Sequence, residues 1–102
     1  MTIKNNPYRR LGRLFHHARN HQNLSLFKTS KETGIAISKL FALEEARMMF
    51  YQDHPQEAVG LAETYAQYLK VDAHSLIHEI ALASNIKQSE QSIPAFLLKK
   101  TF

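Results

Sequence analysis

Two pairs of histidines have the spacing of metal ligands on a helix. His17 and His21, and likewise His74 and His78, are four residues apart, so each pair would share one helix face. A zinc site needs a third or fourth ligand, but the chain has no cysteine and neither pair carries the glutamate of a zinc protease helix. The sequence also lacks a nucleophile elbow, a phosphate loop and a recognisable pair of catalytic carboxylates. It therefore predicts surface histidines, with no metal, no cofactor, no catalysis and no small-molecule substrate.

DNA binding is a second chemistry to consider, because residues 24–45 have the outline of a helix-turn-helix. Ser25 can cap a short helix, and Gly34 suits the left-handed conformation that ends it. A second helix then begins near Ile37. In DNA-binding proteins of this type, the first residues of the second helix contact base edges in the major groove.

The leading positions of this second helix offer few side chains that can read DNA. They are Ala36, Ile37, Ser38 and Lys39, whereas the usual contacts are Arg or Lys on guanine and Asn or Gln on adenine. The far end of the helix is acidic. The sequence therefore predicts at most weak DNA binding, made through phosphate contacts from the basic residues Arg9, Arg13, Lys28 and Lys31.

Charge is distributed unevenly along the chain. Residues 1–31 contain seven Lys and Arg and no acid, whereas residues 32–90 contain all nine acids and only four Lys and Arg. A helical period places Arg9 and Arg13 in one row with His16 and Asn20, which gives the first helix a polar and mainly basic face. Such a face could meet nucleic acid, an anionic membrane surface or an acidic protein, and charge alone does not choose among them.

The pattern of apolar and capping residues predicts an all-α, repressor-like domain of five helices. We expect helices over about 7–20, 26–33, 37–45, 56–70 and 73–84, with a loop over 48–55. Leu26, Phe27 and Ser30 are predicted to face inward in the second helix. In the fourth helix, an inward row lies beside a second row of larger side chains: Val59, Ala62, Ala66 and Leu69, then Leu61, Tyr65 and Tyr68.

Glu44 and Glu45 stand at the end of the third predicted helix. Negative charge at a helix C-terminus opposes the helix dipole, at a cost of about 0.3–1 kcal/mol for each residue. The sequence therefore predicts that another contact holds these glutamates in place.

Length and composition predict one domain over residues 1–84, followed by a flexible tail or juxtamembrane linker over 85–102. The chain lacks cysteine, a signal peptide and any apolar run long enough to span a membrane. These features favour a soluble chain in the cytoplasm.

The run from Leu26 to Glu45, the stretch Tyr65-Ala66-Gln67-Tyr68-Leu69, and Asp72 followed by Leu76-Ile77 carry a family resemblance. Over about residues 10–82 the chain resembles the cytoplasmic N-terminal domain of RodZ. The Leu43-Glu44-Glu45 ending of the third helix and the Tyr-Ala-x-Tyr-Leu run are the specific parts of this likeness. The resemblance implies a repressor-like helix-turn-helix that has been turned to protein binding in bacterial cell-shape control.

The resemblance implies the bacterial actin MreB as the partner, bound mainly through the fourth helix with help from basic residues of the second. Carried over by position, the partner-binding residues are Tyr65, Leu61, Tyr68, Lys28 and Lys31. Leu61 departs from the family, which often has an aromatic residue there. The implied location is the cytoplasmic face of the inner membrane, with the membrane reached only through a span absent from this chain. The alternative function is a small DNA-binding transcriptional regulator of the repressor type.

Overall fold

The computed structural model describes residues 6–85, which form an all-helical domain. Six helices follow one another within this part of the chain: α1 Pro7–His21, α2 Leu26–Thr33, α3 Ile37–Glu44, α4 Met48–Asp53, α5 Pro55–Leu69 and α6 His74–Ala83. The all-α prediction is confirmed, but the predicted count is one helix short. Apart from Asn85, the predicted tail over 85–102 lies outside the described residues.

The additional helix is α4, which occupies most of the predicted loop over 48–55. Its six residues are too few to show a clear apolar period, so sequence periodicity could not reveal it. Tyr51 holds it to the core, because its side chain is buried and its ring meets that of Tyr8 edge-on at 4.7 Å. His54 then separates α4 from α5, and Pro55 occupies the first position of α5, where its missing N–H costs nothing.

The predicted ends of α2 are confirmed. The Ser25 hydroxyl accepts a hydrogen bond from the backbone N–H of Lys28 at 3.0 Å. Gly34 adopts the left-handed conformation with φ of 80°, and its N–H donates to the carbonyl of Ser30. These two ends limit α2 to about two turns, and Gly34 provides the turn that leads into α3.

The core surrounds α1, which packs against α3, α5 and α6. Leu11 and Phe15 of α1 are fully buried, and the predicted inward row of the fourth helix is buried on α5: Val59, Ala62, Ala66 and Leu69. Gly12 permits the close crossing of α1 and α3, since a Cβ atom there would overlap the backbone carbonyl oxygen of Glu44. This crossing brings the middle of α1 against the C-terminal end of α3.

The predicted inward face of α2 is wrong in one important position. Phe27 is 63% exposed, while Thr29 is fully buried in its place. Leu26 and Ser30 are half-buried, so the face of α2 that packs on the core consists of Leu26, Thr29 and Ser30. In a helix of eight residues, the apolar positions are too few to fix the orientation, and packing against α3 and α5 decides it.

Candidate protein-binding surface

The exposed side of α2 forms one edge of the candidate surface. At 100° per residue, Phe27, Lys31, Lys28 and Glu32 follow one another in this order around the helix, and all four are exposed. The Lys31 Nζ atom lies over the Phe27 ring, 5.5 Å from its centroid. The Lys28 Nζ atom lies 3.8 Å from a carboxylate oxygen of Glu32. These contacts give α2 an outer face that combines one aromatic ring with two cations.

Tyr68 joins this face to α5. Its hydroxyl donates a short hydrogen bond to the Glu32 carboxylate across the junction of the two helices. The bond to Glu32 raises the pKa of Tyr68 above its usual value, since it stabilises the neutral phenol beside a negative charge. We call the continuous set Phe27, Lys31, Lys28, Glu32 and Tyr68 the α2–α5 strip. The structure thus brings the predicted residues Lys28, Lys31 and Tyr68 onto one surface.

Leu61 extends the strip along α5. It precedes Tyr68 by seven residues, so the two side chains lie on the same face two turns apart. Both are half-buried and pack partly against the core, which leaves the rest of each side chain accessible. Glu57, one turn before Leu61, forms an ion pair with Lys39 of α3. This row of α5 is therefore fastened to α3 at one end and to α2 at the other.

The prediction that Tyr65 belongs to the exposed contact surface is wrong. Tyr65 is fully buried, its ring lies 4.6 Å from that of Phe15, and its hydroxyl donates a short hydrogen bond to the carboxylate of Glu44. Burial and this bond to Glu44 raise the pKa of Tyr65 well above its usual value. On α5 the side chain projects only about 60° from Ala62, so it falls within the packed face of the helix. Tyr65 has no accessible surface to offer a partner.

Glu44 is the centre of the buried polar cluster that contains Tyr65. Arg19 donates two hydrogen bonds to its carboxylate, from Nε at 2.7 Å and from Nη2 at 3.0 Å, and the His16 ring lies 3.2 Å away. Burial alone would raise the pKa of Glu44, but the hydrogen bonds from Arg19, Tyr65 and His16 outweigh it and hold the pKa below its usual value. The prediction that another contact keeps Glu44 at the end of α3 is thereby confirmed.

Arg19 also ties this cluster to the start of α2. Its Nη1 atom donates to the backbone carbonyl of Leu24 at 2.8 Å, in the loop between α1 and α2. The hydrogen bond to Glu44 raises the pKa of Arg19, so the guanidinium stays charged. The cluster therefore joins α1, the end of α3, α5 and the loop before α2. It sets the orientation in which α2 and α5 present the strip.

The outer face of α3 is largely apolar. Ile37 and Phe41, one turn apart, are 42% and 41% exposed, and the guanidinium of Arg47 lies 5.2 Å from the centre of the Phe41 ring. Lys39 is half-buried and paired with Glu57. An α3 helix inserted into the major groove would thus present mainly apolar side chains and Ser38 to the base edges.

The first helix carries exposed cations, as its predicted polar face requires. Arg9 and Arg13 are exposed, and they line a cavity of about 210 Å³ beside the end of α3 together with His16, Glu44, Glu45 and Ala46. The rings of His74 and His78 on α6 stack with their centres 6.1 Å apart. Within residues 6–85, no group of three or more His, Cys, Asp or Glu side chains is arranged to hold a metal ion.

A family model described as a helix-turn-helix domain matches residues 14–76. The chain belongs to this helix-turn-helix domain family. The match runs from the middle of α1 to the beginning of α6, and so includes both the buried cluster and the strip. Neither the curated proteins nor the solved structures include a significant match to the chain.

The helix-turn-helix of this domain is α2 and α3, joined by the turn at Gly34. Phe27 is the surface residue that sequence reasoning missed, because its apolar character suggested burial. A usable signal was present: Lys31 follows Phe27 by four residues, a spacing at which a cation can lie over an exposed ring. None of the helices in residues 6–85 combines the length and hydrophobicity that crossing a bilayer requires.

Proposed function

We propose that this domain is a non-catalytic adaptor that binds a bacterial actin of the MreB type. In this proposal the α2–α5 strip, extended by Leu61, contacts the filament. The domain links the filament to the cell-shape and elongation machinery at the cytoplasmic face of the inner membrane. The observation that carries the proposal is the contrast between two surfaces: the strip joins an exposed aromatic ring to two cations and Tyr68, whereas α3 presents mainly apolar side chains and Ser38 where a DNA-binding helix would contact bases.

Two observations and a general property of tyrosine support a protein partner. Helix-turn-helix domains are binding modules, and the family model that matches this chain also describes RodZ N-terminal domains. Four of the five residues implied by the RodZ resemblance are accessible or partly accessible: Leu61, Tyr68, Lys28 and Lys31. Tyrosine is enriched at the energetic centres of protein interfaces, because it buries a large rigid area at little entropic cost. The buried Tyr65 takes a different role in the proposal, which is to hold α5 in place.

A domain of this size would cover a small area of the filament, below about 1,200 Å², and each single contact would be weak. Weak contacts are sufficient for a filament partner, since many copies held at one membrane can bind many subunits at once. DNA binding by the repressor mode is the alternative. It is disfavoured by the apolar outer face of α3, although the exposed Arg9 and Arg13 could still contact phosphates without sequence preference.

Cosedimentation with polymerised MreB tests the proposal. The variant Leu61→Ala/Tyr68→Ala removes the α5 part of the surface. Phe41→Ala/Leu82→Ala is the control, because it truncates two exposed apolar residues outside that surface. Circular dichroism first verifies that both variants are folded. We expect the first variant to bind at least about tenfold more weakly than wild type, and the control to bind normally.

Two results would contradict the proposal. The first is an absence of wild-type binding to filaments at concentrations well above those expected for a weak interface. The second is duplex DNA binding with a clear sequence preference, measured by fluorescence anisotropy over a range of salt concentrations. Sequence preference would move the function to the repressor class, whereas salt-sensitive binding without preference would reflect only phosphate contacts.

A further inference from the structure

Phe27 is a large aromatic side chain that α2 leaves in solvent. It is 63% exposed, although the half-buried Leu26 beside it packs against the core. The fold does not need the Phe27 ring for its own packing, because Thr29 fills the fully buried position on this helix. Single exposed apolar side chains are common on soluble domains, and exposure alone does not mark a site. Phe27 differs by its position, because it lies on the same surface as the cations of α2 and the contact between Glu32 and Tyr68.

The surroundings of this ring are positively charged. Lys31 lies over its face at 5.5 Å, and Lys28 is the next residue along the helix. The acid of this face, Glu32, is engaged by both Lys28 and the Tyr68 hydroxyl. A partner that approaches Phe27 therefore meets an apolar ring flanked by cations, with the neighbouring negative charge already satisfied.

We propose that Phe27 is the apolar anchor of the α2–α5 strip and that it inserts into an apolar pocket with a carboxylate rim on the partner filament. The inference rests on the proposed function and extends it to a residue that the RodZ resemblance does not assign. Charge complementarity argues for this occupant: Lys31, held beside the ring, is placed to pair with an acidic rim while the ring itself is buried. Phe27 thereby adds a buried hydrophobic contact to a surface that otherwise has half-buried Tyr68 and Leu61.

The test compares Phe27→Ala with Phe41→Ala in the cosedimentation assay with polymerised MreB. Phe41 is a matched control, because it is also an exposed phenylalanine with a cation over its ring, but it lies on α3. We expect Phe27→Ala to weaken binding at least about tenfold and Phe41→Ala to leave it within about twofold. Both truncations remove exposed rings, so thermal unfolding should show little change in either variant.

The acidic rim is tested separately with Lys31→Gln and Lys31→Glu. We expect Lys31→Glu to bind more weakly than Lys31→Gln, and the difference between them to shrink at high salt, where charge interactions are screened. The loss caused by Phe27→Ala should persist under the same conditions, because burial of an apolar ring is not screened. Equal binding by Lys31→Gln and Lys31→Glu at low salt would overturn the proposal that carboxylates on the partner pair with Lys31.

The two proposals fail in different ways. If wild type binds the filament and Phe27→Ala binds equally well, Phe27 is not an anchor and only this inference is overturned. If wild type does not cosediment at all, the proposed function fails and takes this inference with it. Equal losses for Phe27→Ala and Phe41→Ala would also overturn the inference, because they would indicate that truncating an exposed ring on either helix weakens binding, with no specific role for Phe27.

Discussion

Two tyrosines on α5, three residues apart, make the same hydrogen bond in opposite environments. Tyr65 donates to Glu44 inside the core, whereas Tyr68 donates to Glu32 at the surface. Tyr65 is fully buried and its bond belongs to a cluster that joins four parts of the chain, while Tyr68 is half-buried and its bond joins α5 to α2 alone. The difference shows that residue type and bonding partner do not assign a role. Burial makes one tyrosine part of the framework and leaves the other available to a partner.

The largest effect is expected from removing the charge that balances Glu44. Arg19→Met would leave a buried carboxylate without its cation and would also free the carbonyl of Leu24. Breaking a buried ion pair on one side typically costs about 3–5 kcal/mol, so this variant should unfold at much lower urea concentration. For comparison, Lys28→Met breaks an exposed pair with Glu32 and should change the free energy of unfolding by less than about 1 kcal/mol.

The double variant Arg19→Met/Glu44→Gln distinguishes a lost ion pair from lost packing. Removing both charges avoids the uncompensated carboxylate, so much of the stability should return relative to Arg19→Met alone. If Arg19→Met and Lys28→Met were equally mild, the buried cluster would contribute no more than a surface contact. The buried cluster and the α2–α5 strip would then differ in position but not in their contribution to the free energy of unfolding.

Removing only the hydroxyl groups gives a smaller and more direct comparison of the two tyrosines. Tyr65→Phe deletes a buried hydrogen bond to a charged acceptor and should lower the free energy of unfolding by about 1.5–3 kcal/mol. Tyr68→Phe deletes the equivalent bond at the surface, where water can replace it, and should change the free energy by no more than about 0.5 kcal/mol. Urea unfolding of the two variants in parallel measures both values, and similar losses would contradict the assignment of different roles.

Much of this arrangement could be predicted from the sequence. The ends of α2 could be predicted because Ser25 and Gly34 cap the helix through contacts with residues close to them in sequence. The buried row of α5 could be predicted because four apolar residues repeat at a helical period between Val59 and Leu69. The misplaced charge of Glu44 also predicted a stabilising contact, since a carboxylate at a helix C-terminus is unfavourable by itself.

The errors concern orientation, which depends on contacts distant in sequence. Tyr65 lies close to the boundary between the buried and exposed sides of α5, and Phe15 and Glu44 from two other helices decide its burial. The resemblance to RodZ placed it in the contact set by position, without information on that packing. The error at Phe27 has the opposite direction, since Phe27 was predicted to be buried and is exposed. A two-turn helix contains too few apolar residues to define its buried face.

The smallest expected effect is the dependence of stability on acid pH that the buried Glu44 contributes. Because Glu44 has a lowered pKa in the folded state, its contribution to stability is fully present above the usual value of about 4.5. That contribution is lost as the pH falls through the lower folded pKa, at about 1.4 kcal/mol for each pH unit between the two values. The free energy of unfolding of wild type should therefore decrease below about pH 4.5 more steeply than that of Arg19→Met/Glu44→Gln, which has no carboxylate at position 44.

The double variant retains the other acids. One of them is Glu57, whose hydrogen bond with Lys39 also lowers its pKa. Subtracting the pH profile of the double variant from that of wild type therefore isolates the buried cluster from the surface pairs. Urea unfolding at several pH values between about 3 and 7 gives both profiles. Parallel profiles would mean that Glu44 titrates normally in the folded domain, and the buried cluster would then differ from the α2–α5 strip in accessibility but not in electrostatic strength.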